Sequence, residues 1–223
     1  MYIYYPSCNF TKAFPETAKR VRAYLKTQDD VRIAGCCHKT NNLPEAGDTI
    51  VTVCMSCMRG LMEMRPDCAH ESLFQLLLTR KDFSWTDLSG KSFVLQECFR
   101  ARGMHDVHEA VRECLRRTGA EVTELAANRD LADFDGSFLL HDPYPQNMSE
   151  APAYFADYLP HHVTPLPREA WPEVYRTQAE RYGSLPAVGY CNTCVRGARE
   201  GGAEAYHLAE LLFPVATDQE HEA

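Results

Sequence analysis

Thr49-Ile50-Val51-Thr52-Val53-Cys54-Met55-Ser56-Cys57 is the stretch whose reading decides the fold. Its first five residues are all β-branched, and a short apolar run of that kind reads as a buried strand. The C-x2-C then sits in the turn leaving the strand, where both thiols can address one metal or cluster. Upstream, Cys36-Cys37 adds two thiols, and Cys8 adds a fifth after another strand-like run. Successive side chains on a strand point to opposite faces, so Cys36-Cys37 belongs on irregular backbone, where both can be aimed inward. Five thiols gathered this way point to soft-metal chemistry, with iron–sulfur ligation ahead of zinc and of metal-free redox thiols.

Working outward, Tyr2 to Tyr5 reads as a first strand, broken by Pro6. Phe14, Ala18, Val21 and Leu25 form the apolar stripe of a helix, with Pro15 suited to its first turn. Val31 to Ala34 reads as a second strand, and residues 39–48 as a polar loop punctuated by Pro44 and Gly47. After Cys57 the pattern predicts a helix over 58–64, ending before Pro66, and another helical piece from His70 to Leu78. Strand and helix alternate, so the fold class is α/β.

The second half repeats the plan. Lys91 to Gln96 reads as a strand ending near Cys98, and Val107, Ala110, Val111, Cys114, Leu115 and Thr118 share one face of a helix stopped by Gly119. Val122 to Leu125 and Ser137 to Leu140 read as strands, and Ala187 to Tyr190 feeds a second C-x2-C at Cys191 and Cys194. Arg59-Gly60 follows Cys57 at the offset at which Arg196-Gly197 follows Cys194. His70 and His207 each lie thirteen residues beyond the second cysteine of their motif. These matches predict an internal duplication: two similar Rossmann-like lobes, residues 1–88 and 89–223, with their cysteine loops facing the lobe interface. Between Asn128 and Pro186 the second lobe carries an insertion, rich in proline and aromatic residues over about 141–175, expected to be packed rather than disordered. A lid or partner surface and a plain helical decoration are equally open for it.

Composition narrows the function. Apolar and charged contents of 45% and 24% are those of a globular protein. A net charge of −8 argues against nucleic acid as the main partner. No run approaches the roughly eighteen apolar residues of a membrane span. The start, Met1-Tyr2-Ile3-Tyr4-Tyr5-Pro6, lacks the features of a signal peptide, so a cytoplasmic location is expected. In that reducing compartment ten cysteines are expected as metal ligands, redox groups or buried thiols rather than disulfides.

Taken together, these motifs resemble the CCG, or cysteine-rich, domain pair found in heterodisulfide reductase and in related iron–sulfur oxidoreductases. Tyr4-Tyr5-Pro6-Ser7-Cys8, Cys36-Cys37-His38 and the stretch Thr49 to Cys57 match the first copy. Cys98, Asn128-Arg129-Asp130 and Cys191-Asn192-Thr193-Cys194 match the second. The resemblance implies a noncubane 4Fe–4S cluster on Cys8, Cys36, Cys37, Cys54 and Cys57, acting on a small disulfide or thiol substrate. It also implies an electron-donating ferredoxin-like or flavin subunit as partner, since the chain has no GxGxxG fingerprint of its own. The chain departs from the pattern at His38, which replaces a glycine, and at Phe134-Asp135-Gly136, which stands where Cys-Cys-Gly is expected. The second lobe is therefore expected to keep Cys98, Cys191 and Cys194, with Asp135 as an oxygen ligand to zinc or a smaller site, or to hold no metal. A noncatalytic module stabilised by zinc or a cluster is the alternative function. His38 is expected to donate a proton or a hydrogen bond near the cluster, or only to fill the loop. Cys114 is expected as a core thiol, Cys68 as structural, and His70 and His207 as capping or core hydrogen-bonding groups.

Overall fold

The computed structural model describes residues 1–38, 44–136 and 143–215. They form an α/β structure with two four-stranded, wholly parallel sheets flanked by helices. The first sheet contains β1 (Tyr2–Tyr5), β2 (Val31–Ile33), β3 (Thr49–Thr52) and β4 (Ala69–Ser72), in the order β2-β1-β3-β4. The second contains β5 (Ser92–Gln96), β6 (Glu121–Glu124), β7 (Ala187–Gly189) and β8 (Ala205–His207), in the order β6-β5-β7-β8. In each sheet the strand that feeds the C-x2-C is interior.

Parallel pairing requires a crossover between strands, and here helices supply it. α1 (Cys8–Ala13) and α2 (Pro15–Leu25) join β1 to β2. Ser7, at φ 59°, caps α1 through its hydroxyl, and Pro15 takes the first position of α2, where a missing N–H is harmless. α3 (Met55–Met64) crosses from β3 to β4, and α4 (Leu73–Thr79) follows β4. In the second half α5 (His105–Arg117) joins β5 to β6, and Gly119 ends it at φ 76°.

Three further helices, α6 (Pro145–Glu150), α7 (Leu159–His162) and α8 (Trp171–Glu180), belong to the insertion. α9 (Asn192–Glu200) crosses from β7 to β8, and α10 (Leu208–Leu212) follows. None of the described helices is long and apolar enough to cross a membrane.

The interior strands are apolar on both faces because helices cover both. Ile3, Ile50, Val51, Leu95 and Val188 are all inaccessible to solvent, and burying each such side chain contributes about 1.5–3 kcal/mol. The two sheets are not separate units, since one apolar cluster runs through both. α4 packs on α5, and the His207 ring lies 4.9 Å from Phe10 and 5.1 Å from Phe14.

Several expectations change. The helical piece from His70 to Leu78 is a strand followed by a helix, because residues 69–72 pair with β3. The helix of 58–64 begins at Met55, so the C-x2-C occupies a helix's first turn. The equal offsets of His70 and His207 are not a structural equivalence: Thr52 pairs with Ser72 and Gly189 with His207. Ser72 and His207 hold the matching place, each the N-cap of the helix that follows, each with a capping box. His70 lies two residues earlier and bonds the Arg65 carbonyl at 2.9 Å. The strand expected at Ser137 to Leu140 falls outside the described residues.

The insertion is packed. Ala151, Tyr154, Phe155, Leu159 and Val163 form a small core with Phe99. Glu63 on α3 accepts hydrogen bonds from the Ala153 and Tyr154 amides at 2.8 and 3.2 Å, and the Arg59 guanidinium lies 4.7 Å over the Tyr154 ring. Both anchors sit on the helix that begins with the first C-x2-C.

Candidate metal and thiol site

Each C-x2-C is built the same way. Cys54 is the N-cap of α3 (φ −124°, ψ 125°) and Cys191 the N-cap of α9 (φ −123°, ψ 120°). An extended N-cap residue turns its side chain back over the first helical turn, where Cys57 and Cys194 lie. The positive end of the helix dipole favours thiolates there.

The two cysteine sets differ in convergence. The sulfurs of Cys98, Cys191 and Cys194 all lie within 4.8 Å of one another, and all three residues are buried. Tetrahedral metal–thiolate bonds of about 2.3 Å place sulfurs about 3.8 Å apart, so this triad could hold a metal or a cluster. In the first set Cys8 lies 3.6 Å from Cys36 and Cys37 3.6 Å from Cys57, which also bonds Cys54. Cys8 is exposed, Cys36, Cys37 and Cys57 are half-buried, and Cys54 is buried. A cavity lies beside four of them. It measures about 770 Å³ and is lined by Cys8, Cys37, Cys54 and Cys57 together with Arg100, Asn192, Thr193 and Arg196.

Charge at both sets is governed by hydrogen bonds among thiols and by one arginine. The hydrogen bond with Cys57 pulls Cys54 down to about 6, against its burial and with help from Arg100. Cys37 is lowered to about 7, chiefly by its hydrogen bond with Cys57, with His38 contributing. Cys57 is pushed well up, as the thiol that holds the proton for both. In the second set Cys191 is lowered by hydrogen bonds with Cys194 and Cys98, while burial pushes Cys98 and Cys194 up. The N-cap cysteine is the favoured thiolate in both.

Arg100 lies between the two sets. It is 3% exposed, donates to Ser56 Oγ, and makes an ion pair with Asp135 at 2.5 and 2.6 Å. Its charge reaches Cys54, Cys98 and Cys191. Neither Arg100 nor Ser56 stood out in the sequence. The signal was faint: an arginine two residues past a cysteine, between Phe99 and Ala101.

Asp135, expected as an oxygen ligand, is 3.5 Å from Cys98 Sγ, and both its oxygens engage Arg100. At Gly136 the chain passes so near α9 that a Cβ would sit 1.9 Å from the Thr193 carbonyl oxygen. His38 Nδ1 pairs with Glu150 Oε2 at the end of α6. Arg59 donates to the Arg100 carbonyl at 2.8 Å and to that of Arg102, whereas Arg196 lines the cavity and pairs with Glu200 at 3.3 Å. Cys114 is a core thiol and Cys68 bonds the Glu45 carbonyl at 3.3 Å. Burial lowers His207 to about 3, so it stays neutral and accepts from the Ala209 amide at 3.2 Å.

The lowered Cys37 is open to direct test. In the reduced, metal-free chain its alkylation by iodoacetamide, followed residue by residue by mass spectrometry, should have its midpoint at about 7. Cys57→Ala removes the hydrogen bond, so the midpoint should rise towards the ordinary thiol range. Alkylation at pH 7 should slow about fivefold, because the smaller thiolate fraction is partly offset by a better nucleophile. An unmoved midpoint would mean that Cys57 does not set it.

No protein-family model, curated protein or solved structure matches the chain.

Proposed function

We propose that this chain is an iron–sulfur redox protein that reduces a disulfide, or relays electrons to one, in the cavity beside the first cysteine set. The observation that carries this is the cavity wall. Four thiols of one half face Asn192, Thr193 and Arg196 of the other, around about 770 Å³, a size suited to a small molecule. The matching strand orders and the matching N-cap cysteines support an origin by duplication, with the cysteine loops of the two lobes turned towards each other.

Cys8, Cys36, Cys37, Cys54 and Cys57 would hold the cluster, a noncubane 4Fe–4S group on the resemblance to the CCG family. The fit lies in the donor chemistry: five soft thiols, two close pairs, and two members lowered towards the thiolate that ligation requires. When bound, such a group supplies single electrons and a soft iron that accepts sulfur. The chain's own residues do the rest. Arg100 offsets the negative charge of the thiolates from within the protein. Lys12 and Arg196 on the cavity wall favour a substrate bearing carboxylates. His38, paired with Glu150, holds a proton at the cavity edge for a departing thiolate. Tyr144, Gln146 and Asn147 close the wall from the insertion, which acts as a lid. Electrons come from a ferredoxin-like or flavin subunit.

A second reading has one specific support. The Cys98, Cys191 and Cys194 triad is dry and tight, as in a metal site that only holds structure. On that reading zinc or a cluster stabilises a module of a larger redox complex. Anaerobic purification with iron, acid-labile sulfide and zinc analysis separates the two. Iron and sulfide equal to one cluster per chain are expected, lost in Cys37→Ser and largely kept in Cys98→Ser. Zinc without sulfide would sink the redox reading, and two clusters per chain would sink the assignment of one.

A further inference from the structure

Away from both cysteine sets, the first turn of α5 carries a second group of ligating side chains. His105 and His108 are three residues apart and so share a helix face. Asp130 reaches them from the 3-10 turn Arg129–Leu131. One nitrogen from each ring and one carboxylate oxygen lie within 4.8 Å of one another. His105 Nε2 is 3.5 Å from Asp130 Oδ2. Bonds of about 2.0–2.1 Å in a tetrahedral zinc site place neighbouring ligand atoms about 3.4 Å apart, so that pair already has the required separation.

His108 supplies the independent observation. It is fully buried, yet among the described residues neither ring nitrogen has a hydrogen-bond partner. Its nearest carboxylate, Glu97, is 3.7 Å from Nε2, and Glu97 is occupied by Arg112 at 2.6 Å and by the Arg129 amide. A buried imidazole with both nitrogens idle is unfavourable by the desolvation of each group. A metal ion relieves that for one nitrogen.

The rest of the site is held in place. Gly103 N–H donates to Asp130 Oδ1 at 2.7 Å, leaving Oδ2 for the ion. Of the neighbouring cations, Arg112 is neutralised by Glu97 and Glu124, Arg129 pairs with Glu109, and Arg102 donates to the Ala132 carbonyl.

We infer that His105, His108 and Asp130 form a binding site for a zinc-class divalent ion, distinct from the cysteine sites and made wholly of nitrogen and oxygen donors. Two imidazoles and one carboxylate select a borderline ion over calcium or magnesium. His105 and Asp130 are 69% and 50% exposed, so the remaining coordination position opens to water.

Cobalt(II) tests this in the full chain, because thiolate ligation gives strong near-ultraviolet charge transfer and nitrogen–oxygen ligation does not. Titration is expected to reveal one equivalent of Co²⁺ with only weak visible bands. That equivalent should survive Cys98→Ser and weaken on the order of 100-fold in His105→Ala and in Asp130→Asn. Both substitutions fall on exposed side chains, and Asn keeps the Gly103 hydrogen bond, so folding should be retained. In the unmutated chain Zn²⁺ should shift the imidazole ¹⁵N resonances of two histidines. The proposal is overturned if every bound Co²⁺ shows the sulfur band, if the sulfur-free equivalent persists in both variants, or if no pair of imidazoles responds to Zn²⁺.

Discussion

Arg100→Met is expected to destabilise the reduced, metal-free chain by about 3–5 kcal/mol, the loss typical of a buried ion pair stripped of one partner. Domains of this kind are stable by only about 5–15 kcal/mol, so urea unfolding should register a large fall in midpoint. The reason lies in what remains behind. Asp135 is 1% exposed and would keep its carboxylate with its guanidinium partner removed, and Ser56 would lose a donor. The double variant Arg100→Met with Asp135→Leu removes both charges and should recover much of the loss. If it is no more stable than the single variant, Arg100 acts through packing and not through its charge. A second readout concerns the thiols. Arg100 helps to lower Cys54 and Cys191, so without it both should titrate higher. Metal uptake needs thiolates, so loading should then demand a higher pH than in the unmutated chain. A loading profile that stays in place would show that the thiol hydrogen bonds suffice.

Arg100 also marks where sequence reasoning stopped. The interior strands were legible because β-branched and aromatic runs beside cysteines carry a strong local signal, and Pro15 and Gly119 punctuate helices by their backbone chemistry alone. The edge strands β4 and β8 were not legible. They are four and three residues long, and Ala69-His70-Glu71-Ser72 has no apolar pattern; only pairing with β3 makes it a strand. The two cysteine sets were legible as residue types and spacings. Their relative convergence was not. Counting thiols favoured the first half, yet the tightest group of sulfurs is the triad of the second. Arg100 gathers Ser56, Asp135 and thiols from both halves, a coincidence of three distant segments that no spacing encodes. The pairing of His38 with Glu150, 112 residues apart, is of the same kind.

A glycine pair gives the sharpest test of how the second site is assembled. In Gly136→Ala the new Cβ would fall 1.9 Å from the Thr193 carbonyl oxygen and 2.6 Å from its carbon. Both are backbone atoms, so no side chain can swing aside. Either the segment Phe134-Asp135-Gly136 or the start of α9 must move. Thr193 lies between Cys191 and Cys194, so either movement spreads the triad or pulls Asp135 away from Arg100. The expected loss is about 1–3 kcal/mol or more in stability, with metal affinity at the triad falling on the order of 10- to 100-fold. Gly60→Ala is the matched control. Gly60 is inside α3, and nothing lies within 4 Å of an added Cβ, so the variant should be more stable by about 0.5–1 kcal/mol through helix propensity. Thermal unfolding and cobalt titration of the two variants should therefore move in opposite directions in stability, with only Gly136→Ala disturbing the sulfur charge-transfer band. A Gly136→Ala chain that keeps that band and its melting temperature would show that the segment is free to recede from α9. Asp135 would then not be fixed beside the triad by that close approach.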